Sequence, residues 1–273
     1  MSKKILNREP SITGRWLLGI IPFVLLVIVY IWQSNARLAE NPDDKLLPSF
    51  SSFANAVERY GFEEDRRTGS YLVWQDTASS LQRLGIGVGI SAAIALVFGV
   101  LNGVIPIVRA NLSPVITAIS LVPPIAILPV LFIIFGLGEL SKIVLITIGI
   151  TPFLIRDMQQ RVIEIPREQL IKAQTLSANT WQIIVRIVLP QVMPRLLASV
   201  RLSLGTAWIF LLAAEAIAST DGLGYRIFLV RRYLAMDVIL PYVIWITILA
   251  FFLDWLLRKV SRVLFPWFHA EAA

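Results

Sequence analysis

The chain has 273 residues, of which 56% are hydrophobic and only 16% charged, with a mean hydropathy of +0.73. It is too apolar for a water-facing globule and too long for a single membrane anchor. The net charge of +7 does not indicate nucleic acid, because the basic residues sit beside the apolar runs instead of forming a stripe with interleaved aromatics. There is no cysteine and His269 is the only histidine, which excludes disulfides, thiolate metal sites and cysteine nucleophiles; no paired-carboxylate or metal-ligand spacing replaces them.

The first apolar run, Trp16 to Trp32, is too long for a signal-peptide core and lacks a small-residue cleavage site, so it is expected to remain as a membrane span, Trp16 to Ile31. It divides a segment 1–15 from a first helix over 16–33. A polar stretch, Asn35 to Gln82, follows with Pro42, Asp43, Asp44, Pro48, Glu63, Glu64, Asp65, Arg66 and Arg67, and reads as an extracytoplasmic loop over 34–82. Five more apolar runs place spans at Leu84–Val108, Leu112–Phe135, Ile143–Ile155, Leu196–Ala218 and Val238–Leu257, within a membrane core 83–260 that leaves a tail 261–273. No alternating pattern competes, so the class is all-α integral membrane protein with six transmembrane helices. Six spans put both termini on one side, and fifteen of the 25 Lys and Arg flank that side, which predicts that it is cytoplasmic.

Within span 2, Gly85 and Gly89, and again Gly99 and Gly103, have the spacing that lets helices approach closely in lipid. Pro123, Pro124 and Pro129 remove backbone donors from span 3, and non-helical backbone at that depth needs shelter from protein or a water-filled cavity; a kinked, pore-lining helix is expected. Between spans 4 and 5 lies a segment 157–194 that keeps polar clusters beside two prolines. Pro166 and Glu168 suit the start of a short helix ending near Leu176. Ser177 interrupts it, and Asn179 followed by Gln182 has the form of a capping box opening a second helix that Pro190 should end or kink. In span 5, Glu215 is a carboxylate that must either line a path or pair with a basic residue. Beyond it GLGY, Gly222 to Tyr225, predicts a tight turn into a short helix, with Arg231 and Arg232 solvated. Asp254 and Arg258 are four apart and should pair on span 6, where Trp255 and Trp267 are interface anchors.

The segment from Leu170 to Pro194 resembles the cytoplasmic signature of ABC-importer permeases: Glu-Ala-Ala, three residues, Gly, nine residues, Ile-x-Leu-Pro. Ile187, Leu189 and Pro190 match its second half, whereas Ile171, Lys172 and Ala173 stand for Glu-Ala-Ala and Ser177 for the glycine. If that glycine is left-handed in the family, serine there costs on the order of 1 kcal/mol. LLPSFSSF, TASSLQRLGIGVGI, SLVPPIAILPVLFIIFGLGELSKI, AAEAIASTDGLGY and FFLDWLLRKVSRVLFPW extend the resemblance to the nitrate, sulfonate, taurine and bicarbonate group, from Lys45 to Trp267 in the expected order. NPDDKLLPS and FEEDRRTGSYLVW resemble a subgroup linked to urea-carboxylase-type nitrogen metabolism, which adds urea- or guanidinium-like solutes.

The resemblance implies a type I ABC-importer (MetI-like) permease fold in a bacterial inner membrane, with no cofactor in this chain and ATP-Mg on a partner ATPase. It implies an ATPase dimer, an extracytoplasmic solute-binding protein and a second permease copy as partners, with no nucleic acid. Coupling to the ATPase would fall to Lys172, Ala173, Thr175, Leu176, Ser177, Ala178, Asn179 and Trp181, and the translocation path to Pro123, Pro124, Pro129 and Glu215. No G-x-x-x-x-G-K phosphate loop occurs, so ATP hydrolysis needs another polypeptide. An ion-coupled secondary transporter is the competing reading; it would require titratable groups through several spans and an internal inverted repeat, neither of which is evident.

Overall fold

A computed structural model describes residues 11–41, 44–65 and 69–270. Lys3, Lys4 and Arg8, which belong to the fifteen basic residues counted above, and Pro42, Asp43, Arg66 and Arg67 of the polar stretch lie outside the described residues. Everything described is helix or connecting turn. Helix α1 is Ile12–Glu40, α2 Phe50–Gly61, α3 Leu72–Val104, α4 Pro106–Ser120, α5 Leu128–Phe135 and α6 Glu139–Ile163. Then come α7 Arg167–Thr175, α8 Thr180–Ile183, α9 Leu189–Ala218, α10 Leu223–Arg231, α11 Met236–Leu264 and α12 Pro266–Ala270.

Among the described residues α1, α3, α11 and the continuous helix Thr180–Ala218 are long and apolar enough to cross a membrane, and α4 with α5 does so as a bent pair. Helix α6, which covers the span expected over Ile143–Ile155, is not among these four helices and one bent pair. Its uncharged stretch Ile143–Ile155 lies between Glu139 and Lys142 at one end and Arg156, Asp157 and Arg161 at the other.

The core is the stack of α3 on α6 on α9. Gly99 and Gly103 lie so close to α6 that a Cβ on either would collide with Met158 or Val162, and Gly149 of α6 meets the Phe210 ring of α9 in the same way. Gly85 and Gly89, expected to act similarly, face open space; Gly87 supplies the third approach, against Ile146. Leu145, Ile146, Ile150, Leu154 and Met158 of α6 are fully buried between the neighbours. By contrast α1 exposes apolar side chains along its length, as a lipid-facing helix should. Tyr30 and Ser34 tie it to the next segment by donating to the Pro48 and Leu47 carbonyls at 2.7 and 2.9 Å.

Two expectations need correction and a third is narrowed. The polar stretch 35–82 is not one loop: it contains amphipathic α2, capped by Ser49, and the first turns of α3. Span 3 is not a single kinked helix starting at Leu112. It starts at Pro106 and is broken by 80° at Leu121–Pro123, after which a short 3-10 turn from Pro124 opens the second limb; Pro129 sits in the first turn of α5, where its missing donor removes no helical bond. Of the two outcomes expected at Pro190, an end or a kink, the end does not occur. A π turn over Ile184–Val188 adjusts the hydrogen-bond ladder just ahead of it, and the helix continues from Thr180 to Ala218.

Candidate functional sites at the two ends of the bundle

One end of α6 leads into the corner between α7 and α8. Leu176 caps α7, and Ser177 follows with φ of 61°, the left-handed region. Its N–H donates to the Gln174 carbonyl at 2.9 Å, while the Ala178 N–H donates to the Ala173 carbonyl at 3.0 Å. This is the Schellman pair of bonds that glycine normally closes. The strain expected of a serine at the glycine position is therefore present, since a Cβ in that region costs on the order of 1 kcal/mol. The capping box forms as predicted: Gln182 N–H donates to Asn179 Oδ1 at 2.8 Å and Asn179 N–H to Gln182 Oε1 at 2.9 Å.

Two interlocking caps thus fix a sharp turn, one through backbone bonds and the other through the Asn179 and Gln182 side chains, and leave the apolar side chains outside. Leu176 is 83% exposed and Trp181 71%, while Lys172, Thr175, Ser177 and Asn179 are exposed around them. Ala173 is buried and Ala178 partly so, under the turn. Gln191 donates to Gln169 Oε1 at 2.9 Å, holding α7 against the long helix.

The opposite end of α6 holds a buried charge cluster. Arg83 of α3, only 3% exposed, directs its five N–H groups to five acceptors. Nε and Nη2 donate to Glu139 at 2.5 and 2.8 Å; Nη1 donates to Glu215 at 2.7 Å and to the Asp221 carbonyl at 3.1 Å; Nη2 also donates to Asp221 Oδ1 at 2.5 Å. Lys142 donates to Glu139 at 2.8 Å and to Ser219 at 3.0 Å. Glu215 is fully buried and takes further bonds from Ser80 at 2.7 Å and from the Gly224 N–H at 2.8 Å. Of the two uses expected of Glu215, the structure shows the pairing.

The turn after Glu215 explains the glycines of GLGY. Gly222 has φ of 112°, and a Cβ there would sit 2.5 Å from Glu215 Oε1 and 2.7 Å from Arg83 Nη1. In this conformation three successive amides point inward: Gly222 to Asp76 at 2.9 Å, Leu223 to Ser80 at 2.9 Å and Gly224 to Glu215. Asp76, fully buried, also accepts from Arg226 at 2.8 Å and from the Tyr242 hydroxyl at 3.1 Å. Burial opposes the charge on Arg226, but the Asp76 bonds and carboxylate outweigh it and hold the guanidinium pKa above its ordinary value. Asp76, Arg83 and Lys142 were not singled out from sequence. The signal available was their charge beside apolar runs, which topology had already absorbed.

The remaining pairs are simpler. Asp254 accepts from Arg258 at 3.1 Å, as its spacing predicts, and also holds Arg201 of α9 in a two-pronged contact at 2.9 and 3.1 Å. Arg231 and Arg232 are exposed, with Arg231 over the Phe228 ring at 5.0 Å. The site residues are therefore not brought together: the corner lies at one end of α6, Glu215 at the other, and Pro123 and Pro124 at the break between α4 and α5.

Comparison with known proteins adds three findings. Residues 79–265 match the family described as "Binding-protein-dependent transport system inner membrane component". The chain is 37% identical over 199 residues to the taurine transport system permease protein TauC of Escherichia coli K12, covering 73% of this chain and 72% of that protein. It is 29% identical over 198 residues to the bicarbonate transport system permease protein CmpB of Synechococcus elongatus, covering 70% of each. In fold it is similar to a chain of the MetNI methionine ABC transporter solved in inward-facing conformations, with a TM-score of 0.63 at 22% identity over 71% of this chain and 96% of that one.

Proposed function

This chain belongs to the family of inner-membrane components of binding-protein-dependent transport systems, and on that premise we propose that it forms the solute path of an ATP-driven importer. It is a non-catalytic permease subunit, and ATP with its Mg is handled by the partner ATPase. The observation that carries the coupling assignment is the doubly capped corner. A turn fixed by its own two caps, with Leu176 and Trp181 presented outward, suits insertion into a groove of another protein. Lys172, Ala173, Thr175, Leu176, Ser177, Ala178, Asn179 and Trp181 make up that element, which transmits closure of the ATPase pair to α6 and to the long helix Thr180–Ala218.

In this reading the segment 1–15, the coupling segment 157–194 and the tail 261–273 are cytoplasmic, and 34–82 faces the binding protein. A second permease copy completes the path beside the break at Pro123 and Pro124. The solute is a small polar one of the taurine, sulfonate or bicarbonate kind. The test is purification of the tagged protein in mild detergent from its native cells, with mass spectrometry of what accompanies it. An ABC ATPase at near-equal copy number is expected. Repeated recovery of folded protein with no ATPase would overturn the reading and bring the ion-coupled transporter forward.

A further inference from the structure

A cavity of about 720 Å³ opens between α4 and α6, within the range of about 300–1,000 Å³ usual for small-molecule sites. Ser113, Thr117 and Ser120 of α4 face Arg156, Gln159 and Gln160 of α6 across it. Leu121, where the chain leaves α4 for the 80° break, also lines it. The non-helical backbone that the prolines create thus borders a polar cavity, which is where such backbone is tolerated at membrane depth.

The cavity holds charge of both signs. Asp157 lines it too, but accepts from Ser199 of α9 and lies 3.6 Å from Arg161, which Glu164 also holds at 3.3 Å, so it is turned to these partners and not to Arg156. Arg156 donates to the Ser120 hydroxyl at 3.2 Å and has no carboxylate within 4.0 Å among the described residues. Beside it Ser113 donates to Gln159 Oε1 at 3.0 Å, leaving the Gln159 amide N–H groups as donors. The Ser113 proton is spent on Gln159 and the Ser120 proton on the Thr117 carbonyl at 2.7 Å, so the donors left for an oxyanion, whose oxygens only accept, are the Arg156 guanidinium and the Gln159 amide. Arg156 is exposed at the end of α6 and is held by a hydroxyl instead of a carboxylate, so its charge is open to an anion entering the cavity.

We propose that the α4–α6 cavity is a binding station for the oxyanion group of the transported solute, with the Arg156 guanidinium as its charged contact. The inference rests on the permease reading for the solute's route. It selects among solutes: a sulfonate or carbonate oxyanion is attracted, whereas a guanidinium-like cation is repelled. A lipid phosphate carries the same chemistry, so the test separates the two sources.

The chain contains no cysteine, so the single substitution Thr117→Cys puts one thiol in the cavity. In phosphatidylcholine nanodiscs the thiol is labelled with two methanethiosulfonates of similar size, one ending in a sulfonate and one in a quaternary ammonium. The anionic reagent should be favoured about tenfold over the rate ratio at Glu168→Cys on exposed α7, the scale of one partly screened charge. Added ethanesulfonate should slow it. Arg156→Gln in the Thr117→Cys background should abolish the preference, and Arg156→Lys should keep it, which guards against a folding artefact in the first variant. An unchanged preference in Arg156→Gln would overturn the proposal. So would a preference insensitive to ethanesulfonate but lost in phosphatidylglycerol nanodiscs, which would place a lipid phosphate on Arg156. Because labelling needs no ATPase, failure here with an ATPase still copurifying sinks the cavity assignment alone; success without one sinks the importer reading alone.

Discussion

Arg83 directs every N–H of its side chain to an acceptor inside the chain, whereas at the other end of α6 the corner closes on short-range cap bonds and turns Leu176 and Trp181 outward. Both regions are tightly specified turns, and both need an unusual backbone residue, Gly222 at one and Ser177 at the other. They differ in what the specification serves. At the Arg83 end it closes charges away from lipid and ties α3, α6, α9, α10 and α11 into one body. At the corner it leaves a rigid, exposed apolar tip, which is useful only against another surface.

The comparison can be broken most severely at Arg83. Arg83→Leu would leave Glu139, Glu215 and Asp221 without their shared cation. Loss of one partner of a buried pair costs about 3–5 kcal/mol, so the detergent-solubilised protein should melt much earlier or fail to accumulate, as thermal unfolding would show. Glu215→Gln removes only one of the three acids and should be milder. Trp181→Ala should leave melting unchanged while weakening ATPase association by about 2 kcal/mol, the scale of an interface hot spot; pull-down titration of the ATPase reads this.

Gly99→Leu should destabilise by about 1–3 kcal/mol through overpacking on Met158, while Gly85→Leu, facing open space, should not. The smallest effect is the sharpest on the corner itself. Ser177→Gly should raise stability by about 1 kcal/mol by relieving a left-handed serine, seen as a small upward shift in melting with association retained.

Much of this was legible in the sequence wherever the causes are local. The spans follow from apolar runs, the capping box from Asn179 and Gln182, and the i,i+4 pair from Asp254 and Arg258. The charge cluster was not legible because its partners are far apart in the chain: Arg83 and Glu215 are separated by 132 positions. Nothing near Arg83 in sequence marks it as buried. Helix α2 was hidden by the acids and prolines around it, although Phe50, Phe53, Val57 and Tyr60 already have helical spacing. The continuity past Pro190 depends on a π turn, which no residue type announces. Gly85 and Gly99 share the same motif spacing, and only the position of α6 separates the one that packs from the one that does not.

Hydrogen–deuterium exchange on the purified permease, with and without its ATPase, compares the two regions in a single experiment. The amides of Gly222, Leu223 and Gly224 should be protected in both states, because their bonds are buried inside the chain. Those from Leu176 to Gln182, whose cap bonds lie at the surface, should exchange faster in the permease alone and become protected when the ATPase is bound. Equal protection of the corner in both states, or protection gained at 222–224 instead, would contradict the assignment of the corner as the coupling element.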